Sequence, residues 1–340
     1  MINSQEYRIL NDVNKIDVNQ WDNLIKQSNV ATWFQTKVAY QFYESLPQIM
    51  IPFVYALQVE GTLKGLVVGY ITKESNVIKQ LLTRRAIIVG GPLLANDITI
   101  QEVEWLMSAT RKSLKGTAIY IETRNFNDYS AWKEGLIASG FEYVPHLNFH
   151  VDTTSKEVIE GNLSKSRKRD IRVSFRDGSI IVNNPTIEQV RSYYTILADL
   201  YKTKVKLPLF PLEFFEKLYE LDSSRFLLVE YNGEIFGGTV CVCLQDKTMF
   251  EWFVCGKDGV VKNIFPSEVA TYAGLQCSVD DNCAKFDMMG AGSPNVKYGV
   301  RDFKAKFGGQ LVEYGRFLCV LNKLSYRLGK LGVKLLKKKK

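Results

Sequence analysis

Hydrophobic and polar positions in the first half of the chain predict alternating helices and strands. Apolar runs at residues 53–59 and 63–71 flank the turn Glu60-Gly61 and predict a β-hairpin. The motif Thr99-Ile100-Gln101-Glu102 is a capping box, which predicts that a helix begins there. A last alternating run, at residues 141–149, predicts the final strand of this half.

The second half repeats this order of elements. It begins with a predicted three-stranded meander whose first turn is Asn232-Gly233, a pair typical of tight hairpins. The predicted elements are strands at residues 226–231, 234–244 and 248–255, a helix at residues 266–279, and strands at residues 284–289 and 310–321.

The two halves also share a local sequence. LQVEGTLKG, which starts at Leu57, aligns with VEYNGEIFG, which starts at Val229. Two common hairpins can look alike by chance, but the shared order of the later elements favours a duplication. A chain of 340 residues is also too long for one ordinary core. We therefore predict two domains, residues 1–152 and 153–320, followed by a tail at residues 321–340.

Composition narrows the class of protein. Apolar residues make up 46% and charged residues 24%, which is typical of a globular chain. Two histidines, His146 and His150, are too few for a histidine-rich metal site, and we interpret both as structural. The six cysteines show no CxxC spacing and indicate buried thiols in a reducing compartment. Without a signal peptide or a long apolar stretch, the sequence predicts a cytoplasmic protein.

The net charge of +8 comes from one place. Residues 321–340 hold eight lysines and arginines and no acid, so 36 basic and 36 acidic side chains remain in residues 1–320. This distribution weakens the case for general attraction to nucleic acid. A second basic run, residues 155–176, predicts a helix with Lys165, Arg169 and Arg172 on one face. That face is either an anion site for phosphate or RNA, or simply a solvated surface.

Four stretches together resemble the FemABX family and its GNAT-like relatives. Ala31-Thr32-Trp33-Phe34-Gln35-Thr36 is similar to that family's F-Q-S/T segment, and Gly90-Gly91-Pro92-Leu93-Leu94 is similar to its Gly-Pro turn. SKSRKRDIR at residues 164–172 is similar to its basic helix at the start of the second domain. FDMMG at residues 286–290, with GVRDFKAKFG at residues 299–308, is similar to its "YDFYG … KFKKGF" ending.

This resemblance implies an α/β protein with mixed sheets, built as two tandem GNAT-like domains with the active cleft in the second. It also implies transfer of an amino acid from aminoacyl-tRNA to an amine of a peptidoglycan or other cell-surface glycan precursor, lipid-linked or soluble. No metal and no cofactor are predicted. Lys304 matches the lysine of the family's Phe-Lys motif and is expected to stabilise charge on the attacked carbonyl or to hold a phosphate, or else to be a surface lysine. Asp287 is expected to take the proton from the amine, with Glu251 as a second candidate, or only to cap the following turn.

Further residues are predicted to bind substrate. The family's T-x-x-R region is replaced here by Tyr201-Lys202-Thr203-Lys204-Val205-Lys206, where a lysine supplies charge without the bidentate fork of arginine. The predicted substrate-binding residues are Arg167, Arg169, Lys204, Lys206, Phe303 and Lys306.

Two other functions compete with aminoacyl transfer. An acyl-CoA-dependent N-acyltransferase acting on an amino sugar or another amine has the same fold, but such enzymes bind pyrophosphate through a Q/R-x-x-G-x-G/A loop at a helix N-terminus. After the meander this chain instead has KDGVVKNIFP, residues 257–266. A non-catalytic binding protein is the third interpretation.

The tail predicts an amphipathic helix. Leu321, Leu324, Leu328, Leu331 and Leu335 form one stripe, and basic residues recur about 200° away on the helix. We expect this tail to lie on an anionic membrane, which would place the protein on the inner face of the cell membrane. Packing of the leucines on the second domain is the alternative.

Overall fold

The computed structural model describes residues 6–73 and 84–338, with side chains described as far as residue 330. The chain divides into two compact units. The first unit is formed by Met1–Pro145 and Tyr314–Lys340, and the second by His146–Glu313. Within the described residues, no helix is long and apolar enough to cross a membrane.

The first unit is built on an eight-stranded mixed sheet. Its strand order is β1-β2-β3-β4-β6-β15-β7, with the short β5 paired to β3. The pair β4 and β6 is parallel, and the other neighbours are antiparallel. The strands are β1 (Tyr7–Leu10), β2 (Met50–Val59), β3 (Thr62–Thr72), β4 (Arg85–Gly90), β5 (Leu93–Leu94), β6 (Tyr120–Asn125), β7 (Glu142–Val144) and β15 (Arg316–Val320). The helices are α1 (Val18–Gln27), α2 (Lys37–Glu44), α3 (Ile100–Leu114), α4 (Lys133–Ala138) and α11 (Lys323–Lys338).

The second unit has a seven-stranded sheet of matching topology. Its order is β14-β8-β13-β12-β11-β10-β9, and only the pair β12 and β13 is parallel. The strands are β8 (Leu147–Asp152), β9 (Ile180–Val182), β10 (Ser224–Tyr231), β11 (Glu234–Leu244), β12 (Thr248–Gly256), β13 (Lys285–Asp287) and β14 (Gln310–Glu313). The helices are α5 (Lys156–Asn162), α6 (Lys165–Arg176), α7 (Ile187–Leu200), α8 (Leu212–Tyr219), α9 (Pro266–Asp280) and α10 (Gly299–Ala305), with a π-helix at Tyr201–Val205.

The repeated hairpins match in detail. The turn residues Glu60-Gly61 and Asn232-Gly233 all have positive φ, between 50° and 79°. Each hairpin also shifts register at the aligned position, between Leu57 and Gln58 in one and between Val229 and Glu230 in the other. A shared bulge at a shared position is hard to obtain by chance, because bulges are specific local features of a strand pair. The hairpin repeat predicted from sequence is therefore confirmed in the backbone.

The boundaries of the units differ from the predicted domains. Each predicted final strand is two strands, β7 and β8 around Pro145-His146, and β14 and β15 around Tyr314-Gly315. β8 pairs with β13 and β14 in the second unit, whereas β15 pairs with β6 and β7 in the first. The chain thus changes sheet twice, at residue 146 and at residue 314, instead of once near residue 152. Gly315, with φ of 64°, and Pro145, which has no N–H, occupy these corners.

The predicted basic helix is two helices. α5 ends at Asn162, and Ser164 caps α6 by accepting a hydrogen bond from the Arg167 N–H at 3.3 Å.

The capping box predicted at Thr99 is confirmed. The Thr99 backbone N–H donates to the Glu102 carboxylate at 2.7 Å, and the Glu102 N–H donates to the Thr99 hydroxyl at 3.2 Å.

Two of the family-like stretches meet in the first unit. The Gln35 side-chain amide is fully buried and donates to the Gly91 carbonyl at 2.8 Å and the Gly90 carbonyl at 3.3 Å. The Tyr129 hydroxyl lies 2.8 and 2.7 Å from the carbonyl oxygens of Gly90 and Pro92. These hydrogen bonds satisfy the carbonyl groups at the carboxyl end of β4 and just after it. The F-Q-T and Gly-Gly-Pro motifs are therefore explained by packing within the first unit.

Replacing Gly90 by alanine is expected to destabilise the first unit strongly. Gly90 has φ of 83°, and an added Cβ would lie 2.3 Å from the Thr32 hydroxyl oxygen. Backbone strain and overpacking together should lower the free energy of unfolding by about 2–5 kcal/mol. Gly61→Ala is the matched control, because Gly61 has φ of 79° with nothing within 4 Å of the added Cβ. It should cost only about 1–2 kcal/mol. Equal losses for both variants in urea denaturation would contradict the close contact.

Candidate active site

The two units differ at the carboxyl ends of their parallel strands. In the first unit β4 and β6 pair over their full length, from Arg85 with Tyr120 to Gly90 with Asn125. In the second unit the pairing of β12 with β13 stops at Phe250 and Asp287, although β12 continues to Gly256. Crevices beyond the carboxyl ends of parallel strands are common ligand sites. The diverging strands make the second unit the better candidate for a site, and the active cleft expected there stays a prediction.

Asp287, the last residue of β13, is fully buried and held through both carboxylate oxygens. Oδ1 accepts hydrogen bonds from the Asn148 side-chain amide at 2.7 Å and from the Met289 N–H at 2.8 Å. Oδ2 lies 3.1 Å from Nε2 of His150. The bond to Met289 is the turn cap that was the alternative to a catalytic role. This arrangement differs from the predicted general base and makes Asp287 a positioning residue.

His150 is a residue that sequence reasoning missed. It lies on β8 directly across from Asp287, and its side chain is only partly exposed. A carboxylate at this distance orients an imidazole and stabilises the charge that it acquires when it takes a proton. The available signal was the alternation of His146, Asn148 and His150, which puts three polar side chains on one face of a strand. The sequence does not show that His150 pairs with Asp287, because the two residues are 137 positions apart.

Lys304 is 5% exposed and directed into the turn that follows β13. Its ammonium group donates to the carbonyl oxygens of Met288, of Met289 at 2.7 Å and of Gly290 at 2.8 Å. Burial lowers the pKa of Lys304 to about 8, although the carboxylates of Glu251 and Asp287 oppose this shift. All three N–H groups have carbonyl partners. The arrangement therefore differs from the predicted role, because no N–H remains for the attacked carbonyl.

The helix that carries Lys304 holds the same loop at a second point. The Arg301 guanidinium donates to the carbonyls of Ala291 at 3.0 Å and Ser293 at 2.5 Å. Together the two cations of α10 bind five carbonyls of residues 288–293. Lys304 and Arg301 thus hold the path of the loop that follows β13.

Glu251 lies beside this cluster on β12 and is also buried. Its Oε1 accepts a hydrogen bond from the Thr239 hydroxyl at 3.3 Å. Burial raises the pKa of Glu251, and the neighbouring Lys304 acts in the opposite direction. Glu251 is therefore a charge partner of Lys304 in the interior of the second unit.

Arg167 and Phe303, both predicted to bind substrate, belong to the core of the second unit. The Arg167 side chain is 2% exposed and lies 4.7 and 4.5 Å from the ring centres of Phe303 and Phe307. Its guanidinium forms an ion pair with Glu268 at 2.5 Å. Burial lowers the pKa of Arg167 to about 10. The family-like basic helix thus uses its first arginine, Arg167, to pack against Phe303 of α10, which differs from the predicted contact with substrate.

The other predicted binding residues are on the surface. Arg169 is exposed and bonds its neighbour Asp170 at 2.8 and 3.0 Å. Lys206 and Lys306 are exposed. Lys204 lines a cavity of about 770 Å³ beside α7. The other charged residues of that cavity are Glu188, Asp199, Glu234, Lys257 and Asp258. Acids outnumber lysines there, so the cavity does not resemble a phosphate site.

The N-terminus of α9, the helix that follows β12, is closed by the chain itself. The Asp258 carboxylate accepts hydrogen bonds from the Ser267 N–H at 3.1 Å and from the Ser267 hydroxyl at 2.5 Å. A helix N-terminus attracts anions through its unpaired N–H groups and its dipole. At α9 the Asp258 carboxylate already binds one of these N–H groups. In the first unit the Glu102 carboxylate lies on α3 itself and accepts a hydrogen bond from the N–H of the cap residue Thr99.

No group of three potential metal ligands converges among the residues described, which include both histidines and all six cysteines. The cysteines are free and, except for the partly exposed Cys277, buried. The candidate site consists of the His150–Asp287 pair and the loop after β13 that Lys304 and Arg301 hold.

Comparison with known proteins gives structural likeness without sequence likeness. No protein-family description matches the sequence, and no curated protein matches it. A crystal structure of FemX superposes with a TM-score of 0.69 at 11% identity, covering 95% of this chain and 99% of FemX. A tandem GNAT protein from the clavulanic acid biosynthesis pathway gives 0.60 at 8%, covering 93% and 99%. The C-terminal domain of a putative lysylphosphatidylglycerol synthetase from Agrobacterium fabrum gives 0.58 at 12%, covering 94% and 96%.

At such low identity the likeness concerns the fold, and it extends over nearly the whole length of each chain. The predicted fold class, α/β with two tandem GNAT-like parts, is confirmed by these neighbours and by the matching topology of the two sheets. The chain thus has a tandem GNAT-like fold that is similar to the fold of FemX.

Proposed function

We propose that this protein is an acyltransferase that forms an amide bond, with aminoacyl-tRNA as donor and an amine of a cell-wall or cell-surface glycan precursor as acceptor. Two observations support the reaction class. The fold is that of FemX and of tandem GNAT proteins, and four stretches of the sequence resemble the FemABX family. The name of a third neighbour, a lysylphosphatidylglycerol synthetase, describes an aminoacylated product.

The observation that carries the choice of donor is the Asp258 carboxylate at the N-terminus of α9. Acyl-CoA enzymes of this fold place a pyrophosphate at such a helix N-terminus, and a resident carboxylate both occupies its N–H groups and repels its charge. An aminoacyl ester of tRNA does not require that position. The loop of residues 257–266 also lacks the glycine pattern of a pyrophosphate loop.

The chemistry needs few groups. The acceptor amine attacks the ester carbonyl, the new C–N bond forms as the C–O bond to the tRNA ribose breaks, and the amine must lose a proton. In the proposed mechanism His150 takes this proton through Nδ1 and returns it to the departing ribose oxygen, and Asp287 orients the ring through Nε2. Most of the remaining rate enhancement would come from holding donor and acceptor together.

The test compares donors. The purified full-length chain is incubated with a mixture of aminoacyl-tRNAs and a panel of amine acceptors, and separately with acetyl-CoA and the same acceptors. We expect aminoacyl-tRNA to be consumed and calorimetry to detect no tight binding of CoA. Low-micromolar CoA binding together with consumption of acetyl-CoA would establish the acyl-CoA alternative. Consumption of neither donor with any acceptor would favour the non-catalytic interpretation.

Asp258→Asn sharpens this comparison. The amide keeps a hydrogen-bond acceptor for Ser267 but removes the charge at the helix N-terminus. If the carboxylate is what excludes pyrophosphate, this variant should bind CoA more tightly than the parent does.

A further inference from the structure

The C-terminal helix α11 contacts the first unit through one face. The Tyr326 ring packs edge-on against the Tyr120 ring, with 5.3 Å between their centres. Lys330, one turn further on, places its ammonium 4.6 Å from the centre of the Tyr326 ring. These contacts determine which side of the helix faces the unit.

The opposite face of α11 is apolar and exposed. Leu324 and Leu328 are 69% and 49% exposed. Each is two positions from Tyr326, which is about 200° around the helix. Leu331 and Leu335 continue the stripe in sequence, and their side chains, like those of Lys334 and Lys337 to Lys340, lie outside those described.

The charge around this stripe has one sign. Residues 321–340 carry eight basic side chains and no acid, while the rest of the chain is neutral. Lys323, Arg327 and Lys330 are exposed on the described part of the helix. Lys323 and Arg327 directly precede Leu324 and Leu328, which is about 100° around the helix, so these basic residues flank the apolar stripe and do not lie about 200° from it as the sequence pattern predicted. An exposed apolar stripe flanked by basic residues is the pattern of a helix that lies in the interface of an anionic membrane.

We propose that α11 binds the surface of an anionic lipid bilayer, with Leu324 and Leu328 inserted among the acyl chains and the basic residues against the headgroups. This interaction does not depend on the proposed reaction, since the contact lies on α11 and the candidate site lies in the second unit.

The experiment is co-sedimentation of the full-length protein with vesicles. One set contains phosphatidylglycerol mixed with phosphatidylcholine, and the other contains phosphatidylcholine alone. The protein should sediment with the anionic vesicles, and this binding should weaken as salt is raised. Leu324→Ser/Leu328→Ser should reduce the apparent affinity at least about tenfold, because two buried leucines contribute most of the apolar term.

A double variant of two other exposed leucines is the matched control. Leu207 and Leu311 are 58% and 47% exposed and lie in the second unit, so Leu207→Ser/Leu311→Ser should bind vesicles as the parent does. Equal, weak sedimentation of the parent and Leu324→Ser/Leu328→Ser would overturn the proposal. A parent that dimerises in solution through these leucines and ignores vesicles would also overturn it and identify a second copy as the occupant.

Discussion

Lys304→Met is expected to lower the free energy of unfolding by about 3–5 kcal/mol, the range found when one partner of a buried charge cluster is removed. The substitution deprives the carbonyls of Met288, Met289 and Gly290 of their donor. It also removes the positive charge beside the buried carboxylates of Glu251 and Asp287. Urea denaturation followed by circular dichroism measures the change.

Lys306→Met is the control for this effect. Lys306 follows the same helix but is exposed, so its loss should change stability by no more than about 0.5 kcal/mol. If Lys304→Met unfolds at the same urea concentration as the parent, the ammonium does not hold the turn. A direct role of Lys304 in catalysis would then return as the better explanation of its position in the family-like motif.

His150→Gln is expected to lower turnover by about 10²–10⁴-fold while the protein stays folded. The glutamine amide can still donate a hydrogen bond to Asp287, which preserves the buried pair, but it cannot take a proton. The measurement is the rate of amide formation with the donor identified above, and circular dichroism checks that the variant is folded.

His146→Gln is the matched control for His150. His146 is the other histidine of the chain and falls on the same side of the polypeptide, but its cross-strand neighbour is not Asp287. It should retain parental turnover. Full activity of His150→Gln in a well-folded protein would remove the His150–Asp287 pair from the mechanism, without deciding the identity of the donor, which the tRNA and CoA incubations address separately.

Much of the candidate site was visible in sequence as a location. The FDMMG stretch and the Phe-Lys stretch were matched to one motif of the FemABX family, and in the structure Lys304 binds the turn that follows Asp287. The sequence did not show what the side chains of these stretches contact. Whether an ammonium faces solvent, a substrate or three carbonyls depends on the path of residues 288–290, which have left-handed backbone at Met289 and Gly290. A pattern of residue types does not report that path.

The same limit applies to the basic helix. A run such as SKSRKRDIR predicts a charged surface, and Arg169 meets that expectation. Arg167 does not, since it is buried between two phenylalanines and paired with Glu268. Nothing within the helix distinguishes these two arginines, because the partners of Arg167 lie about 100 and 136 positions further along the chain.

Short-range signals were enough for the elements themselves. The Asn232-Gly233 turn, the Thr99 capping box and the bulged hairpins depend on residues within about ten positions of one another, and backbone sterics and local hydrogen bonds act at that range. The neutral body and the basic, leucine-striped tail are likewise properties of the sequence.

Only long-range contacts decided which strand completes which sheet and which side chains share a site. Alternation of apolar residues identifies β8 and β15 as strands but carries no information about their partners, which are chosen by pairing across more than 100 positions. His150 meets Asp287 because β8 crosses into the second sheet at residue 146. The physical reason is that strand pairing and burial are collective, so the environment of a side chain is defined only once the whole sheet has formed.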